Sequence, residues 1–257
     1  VVIAGHAVCH LANRKVIATD ARALRNVAVG VLKVGRPFDL LAFRLADNHL
    51  HALVAGDAAA VTEFGRRIEI SLQKRLRPGI RFAHVYVTPV STQRHLTNSF
   101  HYIFRQEAHH GTCVDPLFEA SNLPDLLGMR TLGQWTAGCV RTHLPRVQRE
   151  ELLEHLPVRL GGPQNPELLG DAAAAAVGVP HIHSRLARAA EARVAAAHLA
   201  RRWTKPGRGL GPGLSARTLE ALRRHDPDPV VLRAVELQLS LRSAWAALQA
   251  AQTSGLG

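Results

Sequence analysis

Aromatic residues are few in this chain, with seven Phe, three Trp and two Tyr among 257 residues. A buried core must therefore rest on Leu, Val, Ile and Ala, because hydrophobic residues still make up 47% of the chain. Cysteine is scarcer still. Cys9, Cys113 and Cys139 are odd in number, widely spaced and without a CxxC pair. That excludes a disulfide framework and leads us to expect a reducing, cytoplasmic setting. No apolar run reaches the ~18 residues that a membrane span needs, so no membrane contact is expected. The apolar start, residues 1–8, lacks a basic leader and a cleavage site, so we do not expect it to be a secretion signal. No GxxxxGK[ST] loop occurs, which leaves no sign of nucleotide-driven chemistry.

Acidic residues are in deficit. Lys and Arg number 32 against 20 Asp and Glu, giving a formal charge of +12. Lys is the minor basic residue, and Arg carries most of the charge. A basic surface of this kind favours phosphate backbones and predicts a nucleic-acid partner and a nucleoid-associated location.

Periodicity organises the first half. Residues 1–10 read as a strand. Asp20 caps a helix with Leu24, Val27, Val31 and Val34 at helical spacing, ended by Gly35. Residues 38–45 and 49–54 read as two antiparallel strands joined by a turn at 46–48. Gly56-Asp57 opens a helix to about Leu76, which Pro78-Gly79 stops. Residues 80–87 alternate as a fourth strand, and Ser91 or Thr92 caps a helix to about His109. The order β-α-β-β-α-β plus one helix predicts an α+β fold, a ferredoxin-like split βαβ with an antiparallel sheet. From 111 to 147 the pattern weakens into loops and short helices, and 157–166 reads as a linker. Helices are then expected over 168–177, 184–203, 216–225 and 229–249, interrupted by a Gly-rich stretch at 205–214. This is an all-helical C-terminal region.

Alternate residues of a strand share a face. His49 and His51 therefore project side by side, with Leu50 turned into the core. Two imidazoles so placed suit a divalent cation. His181 and His183 form a second such pair, but at a helix start residues i and i+2 lie ~200° apart, so those rings should diverge. The predicted helix after the fourth strand has an apolar stripe, Leu96, Phe100, Ile103 and Phe104. Its other face carries His95, Tyr102, Gln106 and His109. Tyr102 and Gln106 are i and i+4 and should stack one turn apart. The other tyrosine, Tyr86, sits within a strand pattern without polar company and reads as a packing residue.

This combination resembles a known family. His49-Leu50-His51 matches the HUH motif, and Tyr102-Ile103-Phe104-Arg105-Gln106 matches the YxxxQ signature of single-tyrosine transposases of the insertion-sequence 200/605 type. The stretch Leu45-Ala46-Asp47-Asn48-His49-Leu50-His51 also looks like the segment ending in Asn-His-Val-His of REP-associated tyrosine transposases. The resemblance covers roughly the first half of the chain. Where REP-associated enzymes follow the tyrosine with Ile-x-x-Asn-Pro, this chain has Gln106-Glu107, as in the insertion-sequence form. The resemblance implies a metal-dependent endonuclease and strand transferase acting on single-stranded DNA near hairpins. Mg²⁺ or Mn²⁺ would be held by His49, His51 and Gln106, and Tyr102 would form a 5′-phosphotyrosine. Arg94 or Arg105 would supply positive charge near the phenol. It implies either a monomer or a homodimer that exchanges the tyrosine helix.

The resulting expected organisation is a catalytic domain over 1–112, a connecting segment over 113–166 and a basic helical domain over 167–257. Between Ile182 and Trp245 the charge balance is +7. Arg185, Arg188, Arg193, Arg201 and Arg202 are expected on one long helix that would grip duplex or hairpin phosphates. Two other readings of the same residues compete. One is a non-catalytic, domesticated DNA-binding regulator, indifferent to His49→Ala. The other is a metal hydrolase that forms no covalent intermediate.

Overall fold

A computed structural model describes residues 2–76, 79, 81–106, 115–203 and 214–254. The first half follows the order β1 (Ala4–His10), α1 (Ala21–Gly35), β2 (Asp39–Ala46), β3 (His49–Ala55), α2 (Ala58–Leu76), β4 (Tyr86–Val90) and α3 (Gln93–Phe104). The strands form one antiparallel sheet in the order β2-β3-β1-β4. Each crossover helix joins two strands that flank a third. α1 carries the chain from β1 past β3 to β2, and α2 carries it from β3 past β1 to β4. Sheet and helices together make an α+β arrangement.

Strand alternation decides which residues meet the helices. Gly5, Ala7 and Cys9 of β1 pair with Val54, Ala52 and Leu50 of β3, and all six are buried. α1 and α2 cover that face with Leu24, Val27 and Val31 of one and Val61, Phe64, Ile68 and Leu72 of the other. Gly5 is required there: a Cβ on it would lie 2.6 Å from Val61 Cγ1, a contact that forces the helix outward. Both helices start on an aspartate. Asp20 accepts from Ala23 N at 2.8 Å and Asp57 from Ala60 N at 2.8 Å. The opposite face receives α3, whose buried Leu96, Phe100, Ile103 and Phe104 pack toward β2 and β3.

Two boundaries differ from the sequence pattern. The fourth strand begins at Tyr86 rather than near residue 80, which lies outside the described residues. Before Tyr86 the pairing with β1 continues only irregularly, Ala83 N donating to His10 O at 2.8 Å and Ala12 N to Arg81 O at 3.0 Å, while side chains of α2 take two other backbone donors of this segment. Gln73 Oε1 accepts from Phe82 N at 3.2 Å, and Glu69 Oε1 accepts from Val85 N at 2.7 Å. α3 is capped by Thr92, not Ser91, and ends at Phe104 rather than running toward His109. Arg44 Nη1 donates to the Phe104 carbonyl at 2.7 Å, taking an acceptor that another helical turn would use. Gln106 therefore lies beyond the helix. The positions of His109 and Cys113 are outside the described residues.

The chain divides into two compact units, residues 1–127 with 133–155, and residues 128–132 with 156–257. The stretch 113–166 is thus shared between them, and much of it completes the first unit. Leu45 N donates to Ala120 O at 3.0 Å, and Arg44 bridges Ser121, so this stretch shields the β2 edge of the sheet. It continues into α4 (Leu123–Leu126), α5 (Trp135–His143) and α6 (Arg149–Leu153).

The second unit is helical, with α7 (Leu169–Ala176), α8 (Ala187–Leu199), α9 (Ala216–Leu222) and α10 (Pro229–Ser254). Ala172 to Ala176 are all buried, so the alanine run is a close-packed helix face. Most of the Gly-rich stretch at 205–214 lies outside the described residues. Among the described residues no helix is long and apolar enough to cross a membrane.

Candidate active site

The face of the sheet beneath α3 gathers histidines. In the β1–β3 register Val8 faces His51 and His10 faces His49, and residues directly opposite share a face. His6, His10, His49 and His51 therefore lie on one side. The His49 and His51 rings are 4.5 Å apart between centroids. His6 stacks on His51 at 5.1 Å, and His6 Nε2 lies 2.9 Å from His51 Nδ1. His49 Nδ1 donates to Asn48 Oδ1 at 2.6 Å. An amide oxygen only accepts, so the His49 proton sits on Nδ1 and Nε2 carries the lone pair.

Tyr102, on the last turn of α3, closes over this group. Its ring is 6.0 Å from that of His51 and 6.1 Å from that of His6, edge-on to both. Tyr102 remains 39% exposed while His51 is 5% exposed. The phenol is thus reachable from solvent at the rim of the buried His51 imidazole, with all these groups on one chain.

Gln106 does not stack on Tyr102 along a helix face, because α3 has ended. The chain turns instead. Arg105 N donates to Tyr102 O at 3.1 Å, and Gln106 Nε2 reaches the same carbonyl at 3.4 Å. Gln106 is fully buried, and its Oε1 has no hydrogen-bond partner among the described residues. A buried amide oxygen without a donor is costly unless a water or an ion satisfies it.

Arg94 and Arg105 line a separate cleft of about 940 Å³ beside α3, with His101, Arg146, Glu151 and Glu154. The C-terminal arginines do not form one helix face. Arg185 precedes α8. Arg188 donates to Gly178 O at 3.2 Å, and Arg193 to Ile182 O and Ser184 O at 2.9 and 3.0 Å. Arg202 pairs with Glu236 at 2.8 Å, and Arg201, on the short 3₁₀ turn Ala200–Arg202, is exposed. At least Arg188 and Arg193 thus work as internal staples. His181 and His183 sit in a turn ahead of α8 rather than at a helix start, with rings 6.3 Å apart.

Sequence reasoning missed His6 and His10. The signal was present in Gly5-His6-Ala7-Val8-Cys9-His10: alternation puts both histidines on one face, and the split βαβ order makes β1 the neighbour of β3.

Burial holds His6 at about 4, helped by the nearby His95 and His49. His155 is likewise lowered to about 4 by burial, then by His101, Arg105 and Arg44. Both fold neutral, while the unfolded chain takes up a proton near 6.5. Their contribution to stability is therefore present above 6.5 and is lost as pH falls toward 4. Asp115 opposes them. Burial raises its carboxyl from 3.8 to about 6, so it favours the folded state increasingly as pH falls through that window. Two groups outweigh one, and the melting temperature of the chain should drop between pH 6.5 and 4. In a thermal-denaturation series His155→Gln should flatten that drop and Asp115→Asn should steepen it.

No protein-family model matches the sequence, and no curated protein matches it. One solved structure, described as a REP-associated tyrosine transposase bound to a REP hairpin, is similar to part of the chain. The match has 15% identity, covers 42% of this chain and 68% of that one, and has a TM-score of 0.37.

Proposed function

We propose that the first unit is a metal-dependent, single-tyrosine DNA endonuclease and strand transferase on a ferredoxin-like frame, acting on single-stranded DNA near hairpins. One observation carries the reading: a solvent-reachable tyrosine ring 6.0 Å from His51, itself 4.5 Å from His49. An isolated strand histidine pair is ordinary, and so is an isolated helix tyrosine. Their convergence is what a nucleophile and an electrophilic centre require.

The residues present fit a divalent ion of the Mg²⁺ or Mn²⁺ class. Among the described residues no group of three or more His, Cys, Asp or Glu is arranged to hold a metal. The third ligand in this reading is instead an amide, the unpartnered buried Gln106 Oε1. Nε2 of His49 bears its lone pair, and His51 would offer Nε2 if its Nδ1 proton goes to His6. Bonds of this kind from the second nitrogen are how metal-ligating histidines are oriented. When bound, the ion would polarise the scissile phosphate and offset its developing charge.

The rest of the chemistry belongs to the chain. Tyr102 Oη attacks phosphorus, giving up its proton. A tyrosyl O–P bond forms, the P–O3′ bond breaks, and the departing oxygen takes up a proton to leave a free 3′-OH. The link is isoenergetic in kind with the bond it replaces, so reversal rejoins DNA without ATP. Tyr102 and the histidines come from one chain, so in this reading a monomer suffices.

Incubating the chain with labelled hairpin DNA carrying a single-stranded flank, with and without Mg²⁺ or Mn²⁺, tests this. A denaturation-resistant protein–DNA adduct is expected only with metal. His49→Ala should cut its formation by about 10³-fold, the size of effect expected when electrostatic stabilisation of the reacting phosphate is lost. Cleavage without an adduct would indicate a hydrolase. Salt-sensitive binding with neither, unchanged by His49→Ala, would indicate a regulator.

A further inference from the structure

The histidine face does not stop at β1. The register continues Tyr86 opposite Val8 and Thr88 opposite His6, so these four residues share the face that holds His49 and His51. α3 covers the β2–β3 half of that face, whereas His6, Val8 and His10 are only half-buried. Tyr86 is 69% exposed, the most exposed of the large hydrophobic residues described. It is therefore not the packing residue that its place in a strand pattern implies. Among the described residues its ring makes no aromatic contact and its hydroxyl no hydrogen bond.

An exposed aromatic ring on a sheet face offers a flat surface on which another planar group can stack. Strand addition is disfavoured, since Pro89 on this edge strand removes a donor and blunts the edge. Charge points elsewhere. Neither β1 nor β4 contains an acidic residue. The end of the face beside His10 and His49 is rimmed by exposed Arg14, Lys15 and Arg81. Backbone bonds fix that rim: Ala12 N donates to Arg81 O at 3.0 Å, and Asn48 Nδ2 to Arg14 O at 3.0 Å. The carboxylates nearby are Asp47 in the β2–β3 turn and Glu69, which faces His84.

We propose that Tyr86 is a base-stacking platform for single-stranded nucleic acid. It would hold an unpaired base next to the nucleotide at the histidine pair, while the Arg14, Lys15 and Arg81 rim takes the backbone. The proposal rests on the endonuclease reading for its choice of nucleic acid. Tyr86 lies two strands from His51 in one cross-sheet row, roughly 10 Å at ordinary strand spacing. That distance suits a neighbouring nucleotide rather than the scissile one. Unpaired bases are required, because in a duplex their faces are already stacked.

Binding of the full chain to a fluorescein-labelled, mixed-sequence single-stranded oligonucleotide, followed by anisotropy across a salt series, tests this. Tyr86→Ala should weaken binding by about 5- to 150-fold with the salt slope unchanged, and Tyr86→Phe should bind like the parent. Arg81→Ala should instead lower the salt slope by about 0.7. Duplex DNA should be indifferent to Tyr86. Unchanged single-strand affinity in a folded Tyr86→Ala chain would overturn the proposal, as would a parent chain that binds no single-stranded DNA. Tyr86-dependent binding without any covalent adduct would defeat the endonuclease reading and leave this one standing. An adduct formed equally well by Tyr86→Ala, with equal affinity, would do the reverse.

Discussion

Replacing Tyr102 by Phe should abolish the covalent adduct and lower strand cleavage by about four orders of magnitude or more, as loss of an essential nucleophile does. The substitution removes one oxygen and keeps the ring. Tyr102 is 39% exposed, and its contacts with His6 and His51 are edge-on ring contacts that Phe retains. The variant should stay folded, as most surface substitutions do, and a thermal melt checks this. Binding of single-stranded DNA should persist. A folded Tyr102→Phe chain that still forms the adduct would remove Tyr102 from its role.

The second large effect concerns stability. Arg25 of α1 and Glu119 form a two-pronged pair, with Nε to Oε2 at 2.9 Å and Nη2 to Oε1 at 2.8 Å. The side chains are 1% and 6% exposed. This pair fastens the stretch after residue 115 to the helical layer. Asn122 fastens it to the sheet, accepting from Phe43 N at 2.8 Å and donating to Leu41 O at 3.0 Å. Arg25→Ala strips both of these bonds from a buried carboxylate and should cost about 3–5 kcal/mol. That is a large share of the ~5–15 kcal/mol that holds a typical domain together. Urea unfolding should show it directly. The double substitution Arg25→Met with Glu119→Leu should recover most of the loss, because it removes the buried charge as well. A single variant as stable as the parent would mean that solvent reaches Glu119.

The elements that alternate or repeat cleanly were legible in the sequence. Asp20, Asp57 and the stripe Leu24, Val27, Val31 announce α1 and α2, and Leu50 between two histidines announces the orientation of β3. What was not legible depends on partners distant in sequence. α3 ends at Phe104 because Arg44, sixty residues earlier, takes its carbonyl. The segment before β4 is tied to α2 as well as to β1, Gln73 and Glu69 accepting from Phe82 N and Val85 N, so its pairing is irregular and the regular strand starts late. The charge of the C-terminal arginines was visible, but not that Arg188 and Arg193 spend it on backbone carbonyls. At the candidate site, His49, His51 and Tyr102 were found by motif, whereas His6 needed the strand order. The exposure of Tyr86 needed the sheet and the helix over its other half.

The proposed reaction turns on Tyr102 as the group that takes the phosphate. The most direct measurement is to trap the chain on hairpin DNA with Mn²⁺, digest protein and DNA, and locate the nucleotide-bearing peptide by mass spectrometry. A 5′-phosphotyrosyl nucleotide is expected on the peptide containing Tyr102, absent when metal is withheld. A nucleotide attached to Tyr86 or any other residue, or metal-dependent cleavage leaving no modified peptide, would contradict it.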